Sequence, residues 1–143
     1  MASGSHPGYG YVSLLGLKPQ DPIRILKRIE QGFDFKTIEE FQRQTQLSTE
    51  DVADLVAIKL RTLHRRKEQG RLDPDESDRL LRASRVFGKA LALFEGDGDA
   101  AREWLFAPAK ALGGARPIAM ARTDLGAREV EALVDRLEQG VLS

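Results

Sequence analysis

Residues 48–70, STEDVADLVAIKLRTLHRRKEQG, decide how the rest of the chain is read. Two short helices joined by a tight turn are expected here. Ser48 is placed to cap the first helix, with Asp51 three residues on as a weaker form of capping box. Val52, Leu55 and Val56 fall on one helical face, and Ala53 is small where two helices would cross closely. Ala57 and Ile58 make the turn, Leu60 and Leu63 are expected to anchor the second helix, and Gly70 ends it. The charge divides with the helices. Glu50, Asp51 and Asp54 lie in the first; Lys59, Arg61, Arg65, Arg66, Lys67 and Arg71 lie in and beside the second, against Glu68 alone. An acidic helix followed by a basic one, apolar where the two must touch, meets the needs of a helix-turn-helix.

The basic helix is the feature most able to carry chemistry. An α-helix fits the major groove, where base edges present an unambiguous donor and acceptor code. Arginine pairs bidentately with guanine, and Thr or His reaches base edges or phosphates. Lys59, Arg61, Thr62, His64, Arg65 and Lys67 are expected mostly outward. Arg61, His64 and Arg65 are assigned to bases; Lys59, Arg66, Lys67 and Arg71 are assigned to phosphates. The competing interpretation is a solvated basic face with no partner. Phosphate contacts alone give salt-sensitive, non-specific binding, and specificity normally needs two half-sites, so a dimer or higher assembly is expected.

The chain around this unit has 143 residues, enough for one ordinary domain or two small ones sharing a core. With 41% hydrophobic and 31% charged residues it has the composition of a globular chain. Basic and acidic residues balance at 22 each, so only the distribution of charge, not its sum, points to nucleic acid. The absence of cysteine excludes disulfides and thiolate metal sites. His6 and His64 are too few and too far apart for a zinc site. No apolar run approaches the ~18 residues of a membrane span. The first ten residues lack the apolar region of a signal peptide, and a cytoplasmic location is expected.

In chain order, residues 9–17 are short and apolar, a strand or one helical turn tucked against the core. Asp21-Pro22 opens a helix through N-cap and first-position preferences; Leu26, Ile29 and Phe33, with Ile25 beside them, should face inward. A second helix is expected over 36–46, with Ile38, Phe41 and Thr45 on one face. Asp73-Pro74-Asp75-Glu76 is the strongest helix start in the chain. The helix it opens should run over 74–95, with one stripe of Leu80, Ser84, Phe87, Leu91 and Phe94 and another of Ala83, Val86, Ala90 and Leu93. So wide an apolar arc must meet more than one neighbour, within a core or across a dimer. A short helix ending before Pro108, a Gly113-Gly114 break, one turn at 118–121 and an amphipathic helix over 126–139 complete an all-α chain. In that last helix Val130, Leu133, Val134 and Leu137 should face inward.

No other cluster suggests a site. Glu95, Asp97 and Asp99 lack the spacing of a calcium loop and are explained by a helix stop and a helix cap. Gly113-Gly114 has no Gly-Lys-Ser/Thr after it and no strand before it, so it is a turn rather than a phosphate loop. The carboxylates at 73–78 favour a helix N-terminus. Trp104 is a core or interface anchor. No catalytic constellation is present, and no enzyme, metal or cofactor is expected.

Several separated pieces then carry a family resemblance: RTLHRRKEQGRL at 61–72, DESDRLLR at 75–82, ALALFEGD at 90–97, and the ordered run P-x3-LGG-x2-P, Thr-Asp-x-Gly and V-E-x-L between Pro108 and Leu133. From about Leu14 onward the chain resembles an antitoxin of the Xre/MbcA/ParS group, the partners of RES-domain toxins. It departs from the pattern at Ala57, where many helix-turn-helix units have Gly, and at Arg66, a position usually apolar. Arg116-Pro117 stands where Thr-Pro is frequent.

The resemblance implies a toxin-neutralising repressor that catalyses nothing itself. Its partners would be operator DNA of its own operon and a cognate NAD-degrading RES-domain toxin. The C-terminal end would cover the toxin's active-site entrance, which makes Arg136, Gln139, Gly140, Val141, Leu142 and Ser143 the expected toxin-binding residues. The expected organisation is an N-terminal extension over 1–20, a helix-turn-helix domain over 21–72, a linking or dimerisation helix over 73–96 and a toxin-binding domain over 97–143. The alternative is a stand-alone helix-turn-helix regulator with a C-terminal effector-binding or dimerisation domain.

Overall fold

The computed structural model describes residues 7–18 and 21–140. Among the described residues a 3-10 helix, Pro7–Leu15, precedes eight α-helices: α1 Pro22–Gln31, α2 Phe35–Thr45, α3 Thr49–Val56, α4 Leu60–Gln69, α5 Pro74–Leu93, α6 Gly98–Phe106, α7 Pro117–Met120 and α8 Asp124–Glu138, with a second 3-10 helix, Lys110–Leu112, between α6 and α7. No strand occurs among the described residues; an isolated antiparallel bridge joins Asp34 to Arg71.

The fold is built around α5. Its start is a full capping box: Asp73 Oδ1 accepts the Glu76 N–H at 2.8 Å, and Glu76 Oε1 accepts the Asp73 N–H at 3.0 Å. The wide apolar arc of α5 is used within the chain, where the helix packs against the 3-10 segment, α1, α2, α3, α6 and α8. Leu80, Ala83, Val86, Phe87 and Ala90 are buried, and Phe87 meets Phe41 of α2 edge-on at 6.3 Å. One contiguous core runs from Leu14 through α5 to Val130. Buried hydroxyls are bonded: Ser77 Oγ donates to the Asp73 carbonyl and accepts the Phe33 N–H at 2.8 Å, tying the α1–α2 junction to α5.

The chain start is tucked in as expected, with Val12, Leu14 and Leu15 buried against α2 and α5. Two inward assignments are corrected. Leu26, expected inward, is 50% exposed; Ile23, for which no side was expected, is 61% exposed. α1 lies at the periphery on α5, so it buries only Ile25 and half-buries Ile29. Leu60 is 39% exposed because it opens α4; Leu63, one turn later, is the buried residue.

The last helix lies parallel to α5. Arg85 Nε contacts Glu131 Oε2 at 2.8 Å, and one turn on Lys89 Nζ contacts Asp135 Oδ1 at 2.5 Å. The C-terminal tip of α8 therefore lies beside the C-terminal part of α5, while α4 is joined to the first turn of α5.

Candidate functional site

The helix-turn-helix is assembled from local rules. Ser48 Oγ accepts the Asp51 N–H at 3.0 Å and starts α3. Ala57 ends it in the left-handed region, φ 59° and ψ 45°. The reversal is closed by the Ile58 N–H on the Ala53 carbonyl at 3.0 Å. Val52, Ala53, Leu55 and Val56 are buried, and Leu63 of α4 joins them. Lys59 occupies the N-cap of α4 without a side-chain cap, which leaves the N–H groups of its first turn open to an anion.

Arg61, His64 and Arg65 come together on one exposed stripe of α4, at helical spacing with Glu68. None of the three side chains forms a hydrogen bond or ion pair with another described residue, and neither does the exposed side chain of Lys59. Thr62 is partly covered. The remaining cations are differently placed. Lys67 is exposed and 4.0 Å from Glu39. Arg71 donates to the Gly32 carbonyl at 2.6 Å and pairs with Asp34 at 3.2 Å.

Arg66, assigned from the sequence to a phosphate, is instead turned into the fold. Its Nε and Nη2 bind the two oxygens of Glu76 at 2.8 and 3.0 Å, and Nη2 lies 3.3 Å from Asp73 Oδ2. Glu76 is 3% exposed, and a carboxylate so buried requires a cation. The Glu76 hydrogen bond, ahead of its charge and that of Asp73, raises the Arg66 pKa above the ordinary value. The Arg66 cation of α4 is thus the partner of the capping box on α5.

Three further contacts that sequence reasoning missed fix the unit. Arg79 Nε of α5 donates to the carbonyl of Val56, the last residue of α3. Arg122, in the α7–α8 corner, pairs with Asp54 of α3 at 3.4 Å, and its carbonyl accepts from Arg82 Nη1 of α5. These partners lie on different elements far apart in the chain, and no periodicity marks them.

At the other end, Arg136, Gln139 and Gly140 are exposed at the tip of α8. Val141, Leu142 and Ser143 lie outside the described residues. Trp104 on α6 is half-buried against Phe94, ring centroids 6.5 Å apart. No group of acidic or His side chains suited to a metal occurs among the described residues, and no helix there is long and apolar enough to cross a membrane.

Comparison with known proteins covers both ends. Residues 24–85 match an antitoxin Xre-like helix-turn-helix domain, and residues 89–140 match the antitoxin Xre/MbcA/ParS C-terminal toxin-binding domain. A protein named antitoxin Xre from Yersinia enterocolitica is 34% identical over 130 residues, which span 90% of this chain and 88% of that protein. Another of that name from Photorhabdus laumondii is 32% identical over 116 residues, 80% of this chain and 78% of its own length. One from Pseudomonas putida is 37% identical over 84 residues, 58% and 52%.

Proposed function

The chain belongs to the Xre family of antitoxins, and from that premise we propose that it neutralises a cognate NAD-degrading RES-domain toxin and represses its own operon, working in the cytoplasm. As a member of an antitoxin family it is not an enzyme; the chemistry it controls belongs to the partner. In this proposal α4 enters the major groove of the operator. Arg61, His64 and Arg65 read bases, Lys59 and Lys67 hold phosphates, and Thr62 supports them at the groove edge. The tip of α8, through Arg136, Gln139, Gly140 and the residues 141–143 beyond it, covers the entrance to the toxin's active site. A dimer or higher assembly places two recognition helices on two half-sites.

The observation that carries this proposal is the separation of two exposed surfaces along one helix. The cationic stripe of α4, unpaired among described residues, is fixed to the first turn of α5 by Arg66 and Glu76. The exposed end of α8, within the matched toxin-binding region, lies beside the last turns of α5. Between Asp73 and Lys89 that helix advances about 24 Å.

Coexpression with the product of the adjacent reading frame tests the proposal. Arg61→Ala with Arg65→Ala should abolish operator binding and leave toxin binding intact. Removing residues 141–143 should weaken neutralisation and spare DNA binding. A double variant that still footprints its promoter at moderate salt would show that α4 is not the reader, and full protection by the truncated chain would sink the plug.

A further inference from the structure

Leu125 is 72% exposed, the highest value among the exposed large apolar side chains of the described residues. A lone exposed leucine is commonplace; its setting is what distinguishes this one. Leu125 lies in the first turn of α8, and the corner beneath it is tightly built. Thr123 Oγ1 accepts the Gly126 N–H at 3.0 Å. Gly126 is packed against α7 so closely that a Cβ there would lie 1.9 Å from the Met120 carbonyl oxygen. Arg122, just before the cap, is held by Asp54 at 3.4 Å and by Arg82 at 3.3 Å. These contacts hold the corner, and Leu125 on it faces solvent.

The rest of α8 continues the surface. Gly126, Ala127, Val130, Leu133 and Val134 are buried on the inner side. Leu125, Arg128, Glu129, Ala132, Arg136 and Gln139 succeed one another on the outer side, which ends at the tip assigned above to the toxin's entrance. From Leu125 to Gln139 the strip is about 21 Å long.

We propose that this outer face of α8 is a continuous docking strip for the toxin, with Leu125 as an apolar anchor that enters a hydrophobic pocket remote from the toxin's active site. The inference rests on the antitoxin reading and deepens it. The occupant is the toxin because the strip lies within the matched toxin-binding region and includes Arg136 and Gln139, assigned above to the toxin's entrance. Interface energy concentrates in a few fully desolvated anchors, and an anchor carried on a backbone already held by its own corner adds no backbone ordering to the cost of binding. A plug at the tip blocks access; an anchor two helical turns or more away supplies affinity that does not compete with substrate contacts.

The test uses the full chain and the toxin of the adjacent reading frame in a catalytically inactive form, with affinity read by calorimetry. Leu125→Asp should weaken toxin binding by about tenfold or more, and Leu125→Ala by a smaller factor in the same direction. Operator affinity and melting temperature should stay at the wild-type values, because the side chain touches solvent rather than core. Toxin affinity within about twofold of wild type in both variants would overturn the anchor while leaving the plug and the operator reader untouched. A change in the mass of the free chain with toxin affinity unaltered would also overturn it, by making the strip a contact between copies. Failure of the wild-type chain to bind the toxin at all would overturn the antitoxin reading and this inference with it.

Discussion

Ala57 and Arg66 show how much a single position of the helix-turn-helix decides. Ala57 has φ 59°, a backbone region that costs an L-residue roughly 1–2 kcal/mol and suits glycine. Its side chain is exposed, so nothing in the fold requires the methyl group. Ala57→Gly should raise stability by about 0.5–1 kcal/mol in chemical denaturation, after the entropy that glycine loses on folding. Arg66 behaves oppositely. Arg66→Ala would leave the Glu76 carboxylate, 3% exposed, without its cation. We expect a loss of about 2–3 kcal/mol, below the range for fully buried pairs because the guanidinium edge reaches solvent. The folded fraction should keep the wild-type salt dependence of operator binding, since no phosphate contact is removed. The sequence made the caps at Ser48 and Asp73 legible, because a cap is a local rule. It left the role of Arg66 hidden, because Glu76 stands on another helix and a basic run reads as surface until its neighbours are known.

At the scale of elements, α5 was legible as the unit that must meet several neighbours, since its apolar residues cover too wide an arc for one. Which neighbours they are was not. Gly88 shows the consequence. It lies inside a helix, where glycine costs roughly 1 kcal/mol relative to alanine. The 3-10 segment crosses there so closely that a Cβ at Gly88 would lie 2.8 Å from Cβ of Tyr11. That contact is next to the backbone of Tyr11, so no flexible end can yield. Gly88→Ala should destabilise the protein by about 1–3 kcal/mol despite the better helix former, and amide exchange should rise first in the 3-10 segment, Pro7–Leu15. A substitution that stabilised the chain would show that the segment does not pack on α5. The inward faces of α1 and α4 were misjudged for a related reason. Apolar spacing predicts a stripe, but the breadth of the stripe depends on how many helices cover it. α1 has α5 beneath it and leaves Ile23 and Leu26 outside.

For the whole molecule, the two surfaces are apart while the core is shared. The sequence suggests dividing the chain at 72/73 and 96/97, yet the contiguous apolar cluster runs from Leu14 to Val130 through α5. The matched family regions, 24–85 and 89–140, likewise meet within that helix. A division in space that the core does not respect should be invisible to unfolding. Trp104, the single tryptophan, reports on α6 in the C-terminal region, whereas far-UV dichroism reports on all the helices. If the chain is one cooperative unit, the two signals should give coincident denaturation curves. Arg66→Ala, made at the far end of α5, should then shift the Trp104 transition by the same free energy as the dichroism transition. Separate transitions, with Trp104 indifferent to Arg66, would mean that the two ends fold independently and that α5 is a tether. Coincident ones would mean that the proposed reader of DNA and the proposed toxin-binding face are held in one orientation by a common core, so that binding at either end would act on a rigid body rather than on a flexible pair.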